Sequence, residues 1–330
     1  MDYQQSLADM EYANRKRKTR REEFLAIMEQ EIPWNEWVAL VEPYYPNGKR
    51  GRPPRGVETM LRMYLLANWF TLSDEGVEDA IYDSYAFRQF MHIDFLGEEQ
   101  TPDSTTLCKF RKLLNEAGIT KQLFDQLKNH LERNGKLMHG GSIVDATIID
   151  APSSTKNEAK KRDPEMHQVR KGNQYYFGER LHIGVDAGTG YVHSLEVTAA
   201  NVSERDIVPE LIREDDEVLY GDSGYNGIDK REYFRTDSHL SSMDYRINRQ
   251  KPYRKNQWES GPGIWWLRYF EKQKSRVRCK VEYVFLIIKR IFRYRKVRYR
   301  GLSKNRTQAF ILCASANLYM LARSCSCGIS

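Results

Sequence analysis

The sequence predicts an α+β protein: a helical N-terminal region, then a mixed β-sheet flanked by helices. Three observations carry this expectation. Apolar residues recur at helical spacing up to about residue 135. After Gly140 the pattern changes to short β-branched runs bounded by glycines. From there the elements come in the order strand, β-hairpin, helix, strand, helix, strand, helix, which describes a sheet with helices packed against it.

In the helical part, "RREEFLAIMEQEI" places Phe24, Leu25, Met28 and Ile32 on one face. The "GRPP" breaker precedes the apolar helix "GVETMLRMYLLANWFTLS". The stretch "LSDEGVEDAIYDSYAFRQFM" continues in that style, with Ser73 and Asp74 as its cap. Pro102, Asp103 and Ser104 open the next helix and Gly118 stops it; "TKQLFDQLKNHLERNGK" repeats the pattern. A bundle of amphipathic helices with Lys and Arg on its outer faces holds duplex DNA in many proteins. The same spacing equally describes an inert bundle or a dimer surface.

In the second part, "SIVDATII" is a strand and "SSTKNEAKKRDPEMHQVRKGNQ" a polar, basic connection. "RLHIGVDAGTGYVHSLEVT" is a hairpin turning at Gly188-Thr189-Gly190. "SERDIVPELIRE" is a helix capped by Ser203, "DEVLYGDSGY" and "MDYRI" are short strands, and "IDKREYFRTD" is a helix. From Arg276 the chain is helical, with a break at Gly301. The division is therefore 1–135 and 136–325.

Composition narrows the partners. The 52 Lys and Arg exceed the 45 Asp and Glu by 7, and the excess is concentrated in basic blocks at 14–21, 49–55 and 289–306. Basic blocks interleaved with aromatics suit a nucleic acid; solvated faces are the plainer reading, above all for the first block. The five cysteines form no CxxC pair, which argues against a disulfide framework or a zinc site and for a reducing compartment. The N-terminal stretch has no apolar signal-peptide core and no stretch approaches a membrane span, so the expected setting is the cytoplasm.

The chemistry is expected in the acids. Asp145 interrupts the apolar run "GSIVDATIID", and an unpaired buried carboxylate costs several kcal/mol, so it is hydrogen-bonded structurally or used. Asp222 follows Val218-Leu219-Tyr220, where strand ends form ligand crevices; it equally suits a turn cap. Further on, Val277, Val281, Val284, Ile288 and Ile291 mark a buried helical face, and Arg278, Glu282, Phe285 and Lys289 run along its border. That border is either a plain salt-bridge stripe or a carboxylate facing a site beneath the helix. Taken together, three carboxylates from two strands and a helix suit two Mg²⁺ ions clamping a phosphodiester. Asp150 and Asp186 compete for metal but rank lower, one beyond the apolar run and the other at a hairpin turn.

These residues resemble a known family. "SIVDATIIDAPSSTKN", "LHIGVDAGTGYVHSLEVTAANVSERDIVPELI", "LYGDSGYNGIDKR", "VRCKVEYVFLIIKRIFRYRKVRYRGLSKNRTQ" and "ASANLYMLAR" are similar to bacterial insertion-sequence transposases of the IS-five group, DDE enzymes with a ribonuclease-H-like core. "GRPPRGVETMLRMYLLANWF" resembles the N-terminal domain of the same group.

The resemblance implies Asp145, Asp222 and Glu282 as the catalytic, metal-binding acids, with two Mg²⁺ or Mn²⁺ ions and no small-molecule cofactor. It implies Arg278 and Lys289 as phosphate contacts, with Lys156 a further candidate. The Tyr of the family, seven residues before the Glu, is Ser275 here. The family also inserts chain before the last catalytic helix, expected at about 237–275 here, where Arg254 and Trp265 belong to a cationic, aromatic patch suited to unpaired bases. The expected partners are the terminal inverted repeats of a mobile element and target DNA, engaged by a homodimer near the nucleoid. A nuclease that cuts without joining, or an inactive DNA-binding relic, are the rival expectations.

Overall fold

A computed structural model describes residues 15–46, 48, 53–93, 100–158, 160–250 and 264–326. The chain forms two compact units, Met1–Ile119 with Leu318–Ser330, and Thr120–Asn317.

The first unit is helical: α1 (Arg20–Glu31), α2 (Trp34–Val41), α3 (Val57–Trp69), α4 (Asp74–Asp83), α5 (Tyr85–Met91) and α6 (Ser104–Glu116). The caps follow from local chemistry. Ser73 Oγ accepts from the Gly76 N–H at 2.9 Å, and Asp103 Oδ1 accepts from the Thr106 N–H at 2.6 Å. Thr19 and Glu22 complete a capping box on α1. The stretch 73–91, expected as one run, is two helices, because Ser84 takes an extended conformation between them. The short α2, which follows Pro33, has no counterpart among the expected helices.

Helix α3 is the centre of this unit and is buried from Met60 to Trp69. That burial includes a charge, Arg62. Its guanidinium donates to Glu58 at 2.7 and 2.8 Å, to Glu29, and to the Phe90 carbonyl at 2.7 Å, and it lies 4.0 Å from the Trp34 ring centre. A buried cation is tolerable only when its donors are met in this way.

The second unit contains α7 (Ile119–Arg133) and a six-stranded sheet: β1 (Gly141–Asp150), β2 (His167–Lys171), β3 (Gln174–Asp186), β4 (Val192–Ala199), β5 (Val218–Gly221) and β6 (Asp244–Ile247). The strand order is β2-β3-β1-β5-β6, with β4 on β3. β1 runs antiparallel to β3 and parallel to β5, and β6 is parallel to β5. One hydrophobic cluster joins Val144 of β1 and Leu219 of β5 to Val208 and Leu211 of α8 (Glu204–Leu211). Two short helices, α9 (Glu232–Thr236) and α10 (Ser238–Ser242), lead into β6.

Strand β2 falls inside the stretch expected as a polar connection. It is largely exposed on both faces, so its sequence carries no alternation to read, and its pairing comes from the tight turn at Gly172, whose φ is 63°. β6, inside the expected 237–275 insertion, is a strand of the sheet. Helix α11 (Ile264–Leu286) begins before Arg276 and packs against β1 and β5. It passes into a π-helical turn, Ile287–Ile291, and the break expected at Gly301 is a longer irregular segment that ends there. The last helix, α12 (Leu302–Ser326), follows. No helix among the described residues is long and apolar enough to cross a membrane.

Candidate active site

Asp145 sits mid-strand on β1, its side chain 17 % exposed. The parallel ladder with β5 ends at Ile143 and Tyr220; Asp222 follows β5 directly, close enough for its charge to act on Asp145. Burial pushes the Asp145 carboxyl up to about 7; the Ala146 N–H, donating at 2.8 Å, and Arg278 pull it down, while Asp222 and Glu204 push it further up. Asp222 also suits the turn cap that the sequence left open for it. It caps the 3₁₀ turn Ser223–Tyr225, accepting from the Gly224 N–H at 2.7 Å.

Glu282 lies on α11, its side chain 57 % exposed. Of the expected face, Val281, Val284 and Ile288 are fully buried and Val277 and Ile291 half-buried, and Glu282 borders them. Arg278, one turn earlier, bridges helix and strand. One guanidinium nitrogen donates to Glu282 at 2.7 Å and another lies 3.6 Å from Asp145. The stripe is thus a salt bridge along the helix and, through Arg278, a link to β1. Among the described residues, no three acidic, His or Cys side chains stand as a ready metal-ligand set. The cation between Asp145 and Glu282 is Arg278, and one Asp222 oxygen is engaged in its cap. A gap that seats a guanidinium between two carboxylates, with like-charged Asp222 adjoining, has the chemistry of a divalent-cation site.

The expected DNA contacts are distributed. Lys289 falls in the π turn that follows α11. Its ammonium donates to the Ile148 carbonyl of β1 at 2.8 Å, and burial lowers its pKa. Lys156 is exposed in the segment after β1. Trp265 is 64 % exposed and stacks on Tyr269, ring centres 5.7 Å apart. The adjacent groove of about 540 Å³ is lined by Arg246, Arg249, Tyr269 and Phe270. Arg254 lies outside the described residues. Ser275, where the resemblance leads one to expect a Tyr, accepts from Asn248 at 3.2 Å.

The two lower-ranked acids have other partners. Asp186 is fully buried and accepts from the Thr189 N–H at 2.7 Å, its hydroxyl at 3.0 Å and Arg213 at 3.4 Å. Asp150 is exposed at the end of β1, where its backbone bonds to Arg295 and Val297.

Two residues join the site that the sequence reading did not single out. Glu204, the first residue of α8, pairs with Arg180 at 3.2 Å. Arg205 beside it donates to the Gly224 carbonyl at 2.6 Å, fastening the helix start to the turn that holds Asp222. Burial raises the Glu204 pKa, Arg180 lowers it, and Asp222 raises it further. Tyr225 is fully buried, and its hydroxyl has no hydrogen-bond partner among the described residues. Burial, and then the charges of Glu204, Asp145 and Asp222, hold that phenol well above its ordinary pKa. An acid just after Ser203 is an ordinary helix-start signal, so nothing local pointed to Glu204.

A mixed sheet with parallel β1 and β5, an antiparallel β3 hairpin and helices packed against it is the ribonuclease-H-like arrangement. Two family descriptions match the sequence: Transposase DDE domain over residues 136–318, and Transposase domain (DUF772) over residues 13–113. The first alone spans more than half of the chain, which therefore belongs to the DDE transposases.

Proposed function

We propose that this transposase, an insertion-sequence enzyme of the IS-five group, binds the terminal inverted repeats of its own element, cleaves there and joins the freed ends to target DNA. The observation that carries the reading is the bridge from Asp145 through Arg278 to Glu282, with the charge of Asp222 reaching Asp145. Asp145, Asp222 and Glu282 would hold two Mg²⁺ or Mn²⁺ ions, which supply Lewis-acid activation of the attacking oxygen and charge relief at the leaving oxygen.

The chain's own residues position the DNA. Arg278 and Lys289 hold phosphates at the cut, Lys156 extends the cationic surface, Arg254 contributes a further charge to DNA binding, and Trp265 stacks an unpaired base. Water attacks the phosphorus at the element's end, and the bond to the 3′ oxygen breaks to leave a 3′ hydroxyl. That hydroxyl then attacks a target phosphodiester, displacing a target 3′ oxygen. The helical region 1–135 contributes end binding and dimerisation, so that one homodimer holds both ends. The setting is the bacterial cytoplasm, at the nucleoid.

The test uses a duplex bearing the inverted repeats that flank the coding sequence. Cleavage and strand transfer with Mg²⁺ or Mn²⁺, lost with EDTA, are expected. Asp145→Ala, Asp222→Ala and Glu282→Ala should each lower cleavage by about a thousandfold or more while end binding stays within a few-fold. Cleavage without joining would replace the reading with a nuclease. Retained cleavage in any of the three variants would remove that acid from the assignment.

A further inference from the structure

Arg278 is placed differently from Lys274 and Lys280 of the same helix. Lys274 donates to Glu271 and to the Ile247 carbonyl, and Lys280 donates to the carbonyls of Ala187 and Gly188. Lys289, just past the helix, donates to Ile148. Arg278 spends its guanidinium on two carboxylates from different elements, Asp145 at 3.6 Å and Glu282 at 2.7 Å. Its side chain is 23 % exposed, so it is within reach of solvent and of a docked polyanion. A guanidinium between two carboxylates relieves their repulsion, yet it repels a divalent cation seeking the same oxygens. A phosphate offers it a bidentate alternative of comparable geometry.

We propose that Arg278 is the stand-in cation of this acid cluster, and that a phosphate of the DNA end draws it off Asp145 and Glu282 and so opens them to the metal. The proposal rests on the acid assignment under Proposed function. DNA-end binding and metal binding are then coupled through one side chain, and the coupling is reciprocal: each raises the affinity for the other by the same factor. Off DNA the acids stay occupied, which holds back metal loading, and with it nicking, away from an end.

The experiment has two arms. In the first, Mn²⁺ is titrated into the full chain without DNA, and free Mn²⁺ is followed by electron paramagnetic resonance. Arg278→Gln should bind Mn²⁺ about tenfold more tightly than the wild type, Arg278→Lys should fall between, and Asp145→Asn should abolish the site in either background. In the second, end-duplex binding is followed by fluorescence anisotropy. The wild type should gain about tenfold in affinity with Mn²⁺ over EDTA, and Arg278→Gln should gain nothing.

Equal Mn²⁺ affinity of wild type and Arg278→Gln, with Asp145→Asn still abolishing the site, would overturn the proposal and leave the acid assignment standing. Unchanged Mn²⁺ binding in Asp145→Asn would overturn both. Should Arg278→Gln lose its fold by circular dichroism, Arg278→Lys carries the same comparison.

Discussion

Arg180 on β3 and Glu204 at the start of α8 form an ion pair at 3.2 Å. The pair places a fourth carboxylate where its charge reaches both Asp145 and Asp222. Glu204→Gln keeps the shape and removes the charge. Mn²⁺ affinity is expected to fall roughly tenfold, about 1.4 kcal/mol, because less negative potential remains at the site. The Asp145 carboxyl should titrate lower, readable by ¹³C NMR on labelled aspartate. An unchanged titration would show that Glu204 is screened from the site.

The raised Asp145 carboxyl makes stability pH-dependent. It titrates at about 7 in the fold against 3.8 for the free group, so between those values the folded protein holds a proton that the unfolded chain has released. Its contribution is therefore full below about pH 4 and lost as the pH rises through 7, to a total of roughly 4 kcal/mol. Glu179, also raised to about 7, acts in the same direction, so the difference from Asp145→Asn isolates the one group. In EDTA, urea unfolding should show the variant close to wild type at pH 4.5 and more stable at pH 8. A gap of equal size at both pH values would contradict this.

Arg62 anchors the helical unit through Glu29, Glu58 and the Phe90 carbonyl. Arg62→Ala removes a buried partner from three acceptors and leaves a void, a loss of about 3–5 kcal/mol. Arg62→Met fills the volume and should lose less. Urea midpoints of the two variants check the order, and an Arg62→Ala midpoint within error of wild type would refute it.

Trp265 offers an open ring face beside a groove lined by Arg246 and Arg249. Trp265→Ala should weaken single-stranded oligonucleotide binding by about 1–3 kcal/mol, as expected for the loss of one stacked base. Thermal stability should barely change, since the ring is exposed. Anisotropy titration at fixed salt measures the first, and a melting curve the second.

What could be read from the sequence was local. Ser73 and Asp103 announce helix starts because a short oxygen-bearing side chain satisfies free N–H groups whatever surrounds it. The Val281-Val284-Ile288 face was legible because a helix repeats every 3.6 residues. Asp145 could be picked out because a carboxylate inside an apolar run is costly. β2 could not be read, since a strand exposed on both faces has no alternation to display.

The sequence by itself determined the two-part α+β order and the acid on β1. Only the tertiary structure decided what that acid meets. The parallel pairing of β1 and β5 brings the charge of Asp222 to bear on Asp145, the packing of α11 brings Arg278 between Asp145 and Glu282, and the start of α8 brings the charge of Glu204 to the same carboxyl. The π turn that ties Lys289 to Ile148 belongs with these. The reason is physical: caps and periodicity act over one helical turn, whereas these neighbours are separated by tens to more than a hundred residues and meet because the core between them packs in one way.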